Sequence, residues 1–130
     1  MGVLVAPKKD YCVLIVDDEE SLLSLYRTKL TREGFRAIVA RNGLEALAVA
    51  ERENPDLILM DMKMPVMDGI AAVKKLRENS KTKNMRVVYL TAFSDPTGNT
   101  IEITPDSPRC IKKGIGLEEF TNEIKRYLNA

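Results

Sequence analysis

The chain has 130 residues, of which 45% are hydrophobic and 30% charged, and its formal net charge is +1. This length fits one domain around a single core and leaves no room for a second. The composition is typical of globular proteins and excludes the disordered and membrane-spanning classes. The balanced charge indicates neither nucleic acid nor a membrane surface as a partner.

Cysteine and histidine usage limits the chemistry further. The two cysteines, Cys12 and Cys110, are too few for a disulfide framework and have neither metal-ligand nor redox spacing, so we expect both to be reduced. The first residues lack the basic start and apolar length of a signal peptide, which predicts a cytoplasmic protein. The chain has no histidine, and this excludes imidazole-based catalysis by its own residues.

The chain begins with a predicted N-terminal leader, residues 1–10, followed by one domain over residues 11–130. An apolar strand at 13–16 opens the domain and ends in carboxylates. The helix that follows is expected to close at Gly34. Its apolar residues recur every fourth position, at Leu22, Tyr26 and Leu30.

Two further strand and helix units follow. A second strand is predicted at 35–40, and Asn42 with Glu45 three residues later indicates the start of a helix. Residues 57–60 are four consecutive apolar residues, typical of a strand buried on both faces. A third helix is predicted from about 69 to 79, with an inward face formed by Ile70, Val73 and Leu76.

The alternation fails after a fourth strand at 85–90. The segment 94–109 should contain a helix, but an interior proline costs a helix about 3 kcal/mol, and this segment contains Pro96, Gly98, Pro105 and Pro108. We therefore predict a disrupted helix there. A fifth strand at 110–112 and a helix beginning at Leu117 restore the pattern.

Strands that alternate with helices predict an α/β fold with a parallel sheet, because helical crossovers are right-handed and cover the sheet. We predict a doubly wound sheet of five parallel strands. Ligands of such sheets bind at the carboxyl ends of the strands.

Polar residues follow four of the predicted strands: Asp17 and Asp18, Asp61, Thr91, and the pair Lys112 and Lys113. In a parallel sheet these side chains converge on one edge. Carboxylates placed together repel each other unless a proton or a cation intervenes, and oxygen-only ligands suit Mg²⁺. A carboxylate oxygen of Asp61 could then accept a phosphoryl group whose charge is neutralised by the metal, Lys113 and the Thr91 hydroxyl.

Any one of these residues could have a simpler role. Asp61 and Thr91 could merely terminate their strands, and Lys112 competes with Lys113 as the functional lysine, since strand alternation points only one of them inward.

Four motifs together resemble the receiver domain of two-component response regulators: IVDDE at 15–19, LMDMKMPVMDG at 59–69, LTA at 90–92 and IKK at 111–113. The resemblance covers about residues 11–128 and is greatest to the single-domain type that relays phosphate. It implies a flavodoxin-like fold with strand order 2-1-3-4-5. It also implies that the function is a phosphorylation switch or relay in two-component signal transduction.

The resemblance also implies roles for individual residues. Asp61 would be phosphorylated from a partner's phosphohistidine in a Mg²⁺-dependent reaction. Asp18, Asp61 and the backbone carbonyl of Lys63 would bind Mg²⁺ directly, and Asp17 through water, while Thr91 and Lys113 would hold the phosphoryl group. The chain would then be a phosphoacceptor that assists its own phosphoryl transfer, and not an enzyme.

The absence of histidine means that the donor must be another molecule. The implied partner is a sensor histidine kinase or a histidine phosphotransferase, and the downstream protein target stays unknown from the sequence.

Three features depart from the family pattern. Gly114 stands where the family usually has proline, Cys110 replaces the switch aromatic, and segment 94–109 has lost its helix pattern. They leave open a divergent receiver-like interaction module that is not phosphorylated. If the chain does signal, we hypothesise that segment 94–109 becomes ordered, or that the signal bypasses it through the first helix.

Two other classes are weaker alternatives. A phosphohydrolase of the haloacid dehalogenase type would need a second aspartate two residues after Asp61, where Lys63 stands. A flavin or nucleotide carrier would need a Gly-rich or Ser/Thr-rich phosphate loop after the first strand, but the acidic run 17–20 lies there.

Overall fold

The computed structural model describes residues 10–91 and 109–129. Five parallel strands form one sheet in the order β2-β1-β3-β4-β5. The strands are β1 (Cys12–Val16), β2 (Arg36–Ala40), β3 (Leu57–Asp61), β4 (Val87–Thr91) and β5 (Arg109–Lys112). The predicted flavodoxin-like strand order is confirmed, and each predicted strand lies within two residues of the observed one.

Four helices are described: α1 (Glu20–Arg32), α2 (Gly43–Glu53), α3 (Gly69–Glu78) and α4 (Leu117–Leu128). The predicted cap of α2 is confirmed, because the Asn42 side chain accepts a hydrogen bond from the Glu45 backbone N–H at 2.8 Å.

The inward faces of two helices differ from the sequence prediction in one residue each. In α1 the buried leucine of the first turn is Leu23, and Leu22 is only partly buried. In α3 Ile70 is 58% exposed, and the buried face is formed by Gly69, Ala72, Val73 and Leu76. In each helix the buried face lies one or two positions away from the predicted face, because apolar residues stand on both sides of that boundary.

The sheet has a core on each face, as a doubly wound fold requires. Alternate residues of each strand point to opposite faces, so that Ile15 packs on one side of β1 and Leu14 on the other. Helices α1 and α4 cover the first face, and α2 and α3 cover the second. The central strands β1 and β3 are therefore buried along their whole length.

Two sequence predictions lie outside the described residues. They are the N-terminal leader, except for Asp10, and the disrupted helix with its proposed ordering, which falls almost entirely within residues 92–108. Within the two ranges that the structure describes, every helix is too short or too polar to cross a lipid bilayer.

The start of α3 packs against the end of β3. The Asp68 side chain caps α3 by accepting a hydrogen bond from the Ala71 N–H at 2.8 Å. The next residue, Gly69, donates its N–H to the Met62 carbonyl at 3.2 Å. A Cβ atom at Gly69 would overlap the backbone carbonyl of Asp61, so the approach of helix to strand requires glycine here.

We expect Gly69→Ala to destabilise the fold by about 2 kcal/mol or more, because backbone atoms, unlike flexible side chains, cannot move aside for the added methyl group. Urea unfolding would measure this loss. The matched control is Gly116→Ala, where no atom lies near the added Cβ and the expected cost is about 0.5 kcal/mol, from the weaker helix cap. Equal stability of the two variants would contradict the close approach.

Candidate functional site

The carboxyl ends of β1 and β3 bring three carboxylates together. These strands are neighbours in the sheet, with Val16 paired to Met60, so Asp17 and Asp61 emerge side by side. One carboxylate oxygen from each of Asp17, Asp18 and Asp61 lies within 4.8 Å of the other two. Asp17 and Asp61 are buried, and Asp18 is exposed to solvent.

The Lys113 side chain reaches into this acidic cluster. Its Nζ lies 2.6 Å from Asp17 Oδ2 and 3.2 Å from Asp61 Oδ2. The neighbouring Lys112 is exposed, so the geometry distinguishes the two lysines that the sequence left as alternatives. The Lys113 backbone N–H donates to the Thr91 carbonyl at 2.7 Å, which ties the residue to the end of β4.

The other oxygen of each buried carboxylate faces the backbone. Asp17 Oδ1 accepts a hydrogen bond from the Glu19 N–H at 2.9 Å, and Asp61 Oδ1 accepts one from the Lys63 N–H at 3.3 Å. Each carboxylate is thus oriented by a backbone donor two residues later and directs its second oxygen toward Lys113.

The electrostatic balance of the cluster is negative. Burial and the adjacent Asp17 charge raise the pKa of Asp61, and Lys113 offsets this rise only in part. Burial opposes the charged form of Lys113, but the two carboxylates outweigh it and raise its pKa. Among the described residues of the cluster, three carboxylates therefore face one ammonium group.

The donor atoms fit a hard divalent cation. Asp17 Oδ2 is buried and makes no hydrogen bond of good geometry to any described residue, although it forms the ion pair with Lys113. Buried charged oxygens normally have partners for their lone pairs, so this oxygen, next to two further carboxylates, can accept another ligand. Carboxylate oxygens at this spacing are suitable ligands for Mg²⁺.

Two more residues of the predicted site lie at the same edge. Asp61 pairs with Leu90 across the β3 and β4 ladder, and Thr91 is the next residue of β4, half-buried at its end. Lys63 lies two residues beyond Asp61 with an exposed side chain, and its backbone N–H donates to Asp61 Oδ1.

The structure also places residues near the site that the sequence analysis did not assign to it. Tyr26 was predicted only as a core residue of the first helix; burial raises the pKa of its hydroxyl, and the charges of Lys113 and Asp17 shift that pKa in opposite directions. Its signal was a phenol at a core position, since a buried hydroxyl needs a polar surrounding. Val66, in the loop between β3 and α3, has φ of 70° and is 79% exposed. That backbone conformation is rare for a β-branched residue, and nothing in the sequence indicated it.

Comparison with known proteins agrees with this geometry. Residues 13–125 match the family model of the response regulator receiver domain. The chain is 36% identical over 117 residues to the polar-differentiation response regulator DivK of Brucella anthropi, an alignment that covers 89% of this chain and 94% of DivK. It is 32% identical over 121 residues to sporulation initiation phosphotransferase F of Bacillus subtilis, with 89% and 92% covered.

Solved structures give the same result. The chemotaxis response regulator CheY4 of Vibrio cholerae superimposes with a TM-score of 0.79 at 29% identity, covering 90% of this chain and 98% of CheY4. A response regulator of Chloroflexus aurantiacus superimposes with a TM-score of 0.80 at 25% identity, covering 94% and 100%. The chain therefore belongs to the response regulator receiver domain family and has the phosphorylation-switch role of that family in two-component signalling.

Proposed function

We propose that Asp61 accepts a phosphoryl group from a phosphohistidine of a sensor histidine kinase or a histidine phosphotransferase. The observation that supports this most directly is the Asp61 carboxylate itself, buried between Asp17 and the Lys113 ammonium at the open edge of the sheet. The chain has no histidine of its own, so the phosphohistidine belongs to a partner.

The transfer is a substitution at phosphorus. One Asp61 oxygen forms a bond to phosphorus, the bond from phosphorus to the donor's imidazole nitrogen breaks, and its electron pair stays on that nitrogen. Lys113 would contribute a positive charge next to the arriving phosphoryl oxygens, and Thr91, the last residue of β4, would donate a hydrogen bond from its hydroxyl to one of them. The backbone N–H of Lys63 keeps the Asp61 carboxylate oriented.

Asp18, Asp61 and the Lys63 backbone carbonyl are the proposed direct ligands of Mg²⁺, with Asp17 acting through water. When bound, the ion would supply positive charge for both the carboxylates and the phosphoryl oxygens. The support is the cluster of carboxylate oxygens and the incomplete hydrogen bonding of Asp17 Oδ2.

In this proposal the chain is a phosphoacceptor that assists its own modification, and not an enzyme, because Asp61 of the chain is itself the group that is modified. The receiver domain comprises residues 11–130, preceded by a leader at residues 1–10. We place the chain in the cytoplasm, where ATP-dependent kinases produce phosphohistidine and where the thiols of Cys12 and Cys110 stay reduced.

A second candidate function is a receiver-like interaction module that is not phosphorylated. It is favoured by Gly114 and Cys110, which replace family residues beside Lys113. The ion pairs of Lys113 with Asp17 and Asp61 favour the phosphoacceptor, because the lysine reaches the carboxylates despite these replacements.

Incubation with acetyl phosphate and Mg²⁺ tests the proposal. We expect intact-mass spectrometry to find one added phosphoryl group, which is lost in Asp61→Asn and when Mg²⁺ is chelated. Asp68→Asn is the matched control, because it removes a carboxylate from the same loop while asparagine still caps α3; it should be phosphorylated like the wild type. An unmodified wild type, with both acetyl phosphate and a phosphohistidine donor, would favour the second candidate.

The stability of Asp61→Asn tests the electrostatics separately from phosphorylation. Because the folded-state pKa of Asp61 is raised, its ionised form costs stability at neutral pH, and the cost is absent at pH values low enough to protonate it. Without Mg²⁺ we expect Asp61→Asn to melt a few degrees above the wild type. Millimolar Mg²⁺ should raise the wild-type Tm more than that of the variant, since the variant has lost a ligand.

Asp68→Asn again serves as the control and should show the wild-type response to Mg²⁺. A variant that melts below the wild type without Mg²⁺, or a wild type whose Tm ignores Mg²⁺, would contradict the crowded acidic cluster.

A further inference from the structure

The loop between β3 and α3 contains a strained turn, which we call the Val66 turn. It is a γ-turn over residues 65–67, closed by a hydrogen bond from the Met67 N–H to the Pro65 carbonyl at 2.8 Å. Val66 lies at its centre with φ of 70°, and the positive-φ form of a γ-turn is rare. A β-branched residue keeps such a conformation only where its surroundings impose it, and residues of this kind are concentrated at functional sites.

The first residue of α2 makes a close contact with this turn. The Gly43 N–H donates a hydrogen bond to the Met67 carbonyl at 3.1 Å. A Cβ atom at Gly43 would lie 2.6 Å from that carbonyl oxygen and 3.0 Å from the Cβ of Ala72 in α3. The backbones of α2 and of the loop are therefore in direct contact, and this approach requires glycine.

The two ends of the loop are fixed separately from its tip. At the base, the Gly69 N–H donates to the Met62 carbonyl and closes the loop. The side chains of Met64 and Met67 pack partly against the core, but methionine changes shape easily and does not by itself fix a backbone. Among the residues that the structure describes, the backbone hydrogen bond between the Val66 turn and another element is the one from Gly43.

Lys63 lies between Asp61 and the Val66 turn. Its N–H donates to Asp61 Oδ1 at 3.3 Å, so the position of its backbone nitrogen is set by the carboxylate. Its carbonyl belongs to the next peptide unit, which is planar and turns as one body with the N–H of Met64. The direction of the Lys63 carbonyl is therefore set by the chain that follows it, which ends in the Val66 turn.

We propose that Gly43 and Val66 are positioning residues for the metal site. Gly43 holds the Val66 turn in its strained conformation, and the turn directs the Lys63 carbonyl toward the carboxylates of the site. This inference rests on the proposed function of Lys63 as a Mg²⁺ ligand. Groups outside the ligand set that orient a ligand commonly change metal affinity by tenfold or more when they are replaced.

Two substitutions at Val66 separate the backbone conformation from the side chain. Proline fixes φ near −65° and cannot form the turn, whereas glycine adopts positive φ without strain. The Val66 side chain is exposed, so neither variant opens a cavity in the core. By calorimetric titration we expect about tenfold weaker Mg²⁺ binding in Val66→Pro and a change of less than about twofold in Val66→Gly.

Gly43→Ala tests the contact from α2. The added methyl group must displace the Met67 carbonyl, so we expect Mg²⁺ binding to weaken by about tenfold. Val49→Ala is the matched control, because Val49 is a buried residue of the same helix. Its truncation should lower the urea midpoint of unfolding and leave Mg²⁺ affinity within about twofold of the wild type.

A further measurement requires no metal. Positive φ brings the amide and Hα hydrogens of a residue close together, which gives a strong cross-peak between them in NMR spectra. We expect this cross-peak for Val66 in the wild type and in Val49→Ala, and its loss in Gly43→Ala. A wild type that binds no Mg²⁺, with the cross-peak lost in Gly43→Ala, would overturn the proposed metal site and support the hold of Gly43 on the turn.

Two results would overturn the positioning role. One is wild-type Mg²⁺ affinity in Val66→Pro, which would show that the turn does not direct a ligand. The other is an equal loss of Mg²⁺ affinity in Gly43→Ala and Val49→Ala, which would assign Gly43 to helix packing alone.

Discussion

The arrangement of the whole site depends on the repulsion between Asp17 and Asp61, which two adjacent strands bring into one buried position. Lys113 relieves that repulsion in part, while burial first and the Asp17 charge second raise the pKa of Asp61. An excess of negative charge out of water calls for a cation. An incoming phosphoryl group would need the same positive charge. The metal and Lys113 would therefore stabilise both the free carboxylates and the phosphorylated Asp61.

The fold keeps these charged groups at fixed distances. Asp17, Asp61 and Thr91 lie at the ends of β1, β3 and β4, whose residues are buried on both faces, so these strand ends cannot shift without exposing the core. The backbone then orients each carboxylate through the N–H groups of Glu19 and Lys63. Lys113 differs, because it lies just beyond β5 next to Gly114, and its backbone is tied to the sheet by the hydrogen bond from its N–H to the Thr91 carbonyl.

The sequence predicted the strands and the convergence of Asp17, Asp18, Asp61 and Lys113. Apolar runs that end in charged residues are visible in a short sequence window, and a parallel sheet places the carboxyl ends of such strands together. Long-range packing left no such signal. Ile70 has an apolar side chain at a helical position, yet it is exposed because Gly69, Ala72 and Val73 bring that helix close to the sheet on another side. The positive φ of Val66 left no signal either, although the hydrogen bond from the Met67 N–H to the Pro65 carbonyl that closes this turn is local.

A crystal structure of the protein grown with Mg²⁺ and beryllofluoride would show whether Asp61 carries a phosphoryl group next to a metal ion. We expect beryllium bonded to an Asp61 oxygen, one metal ion about 2.1 Å from its carboxylate ligands, and the Lys113 ammonium drawn from Asp17 toward a fluoride. A structure in which both ions are absent from this edge or lie elsewhere, with Lys113 still paired to Asp17 and Asp61, would contradict it.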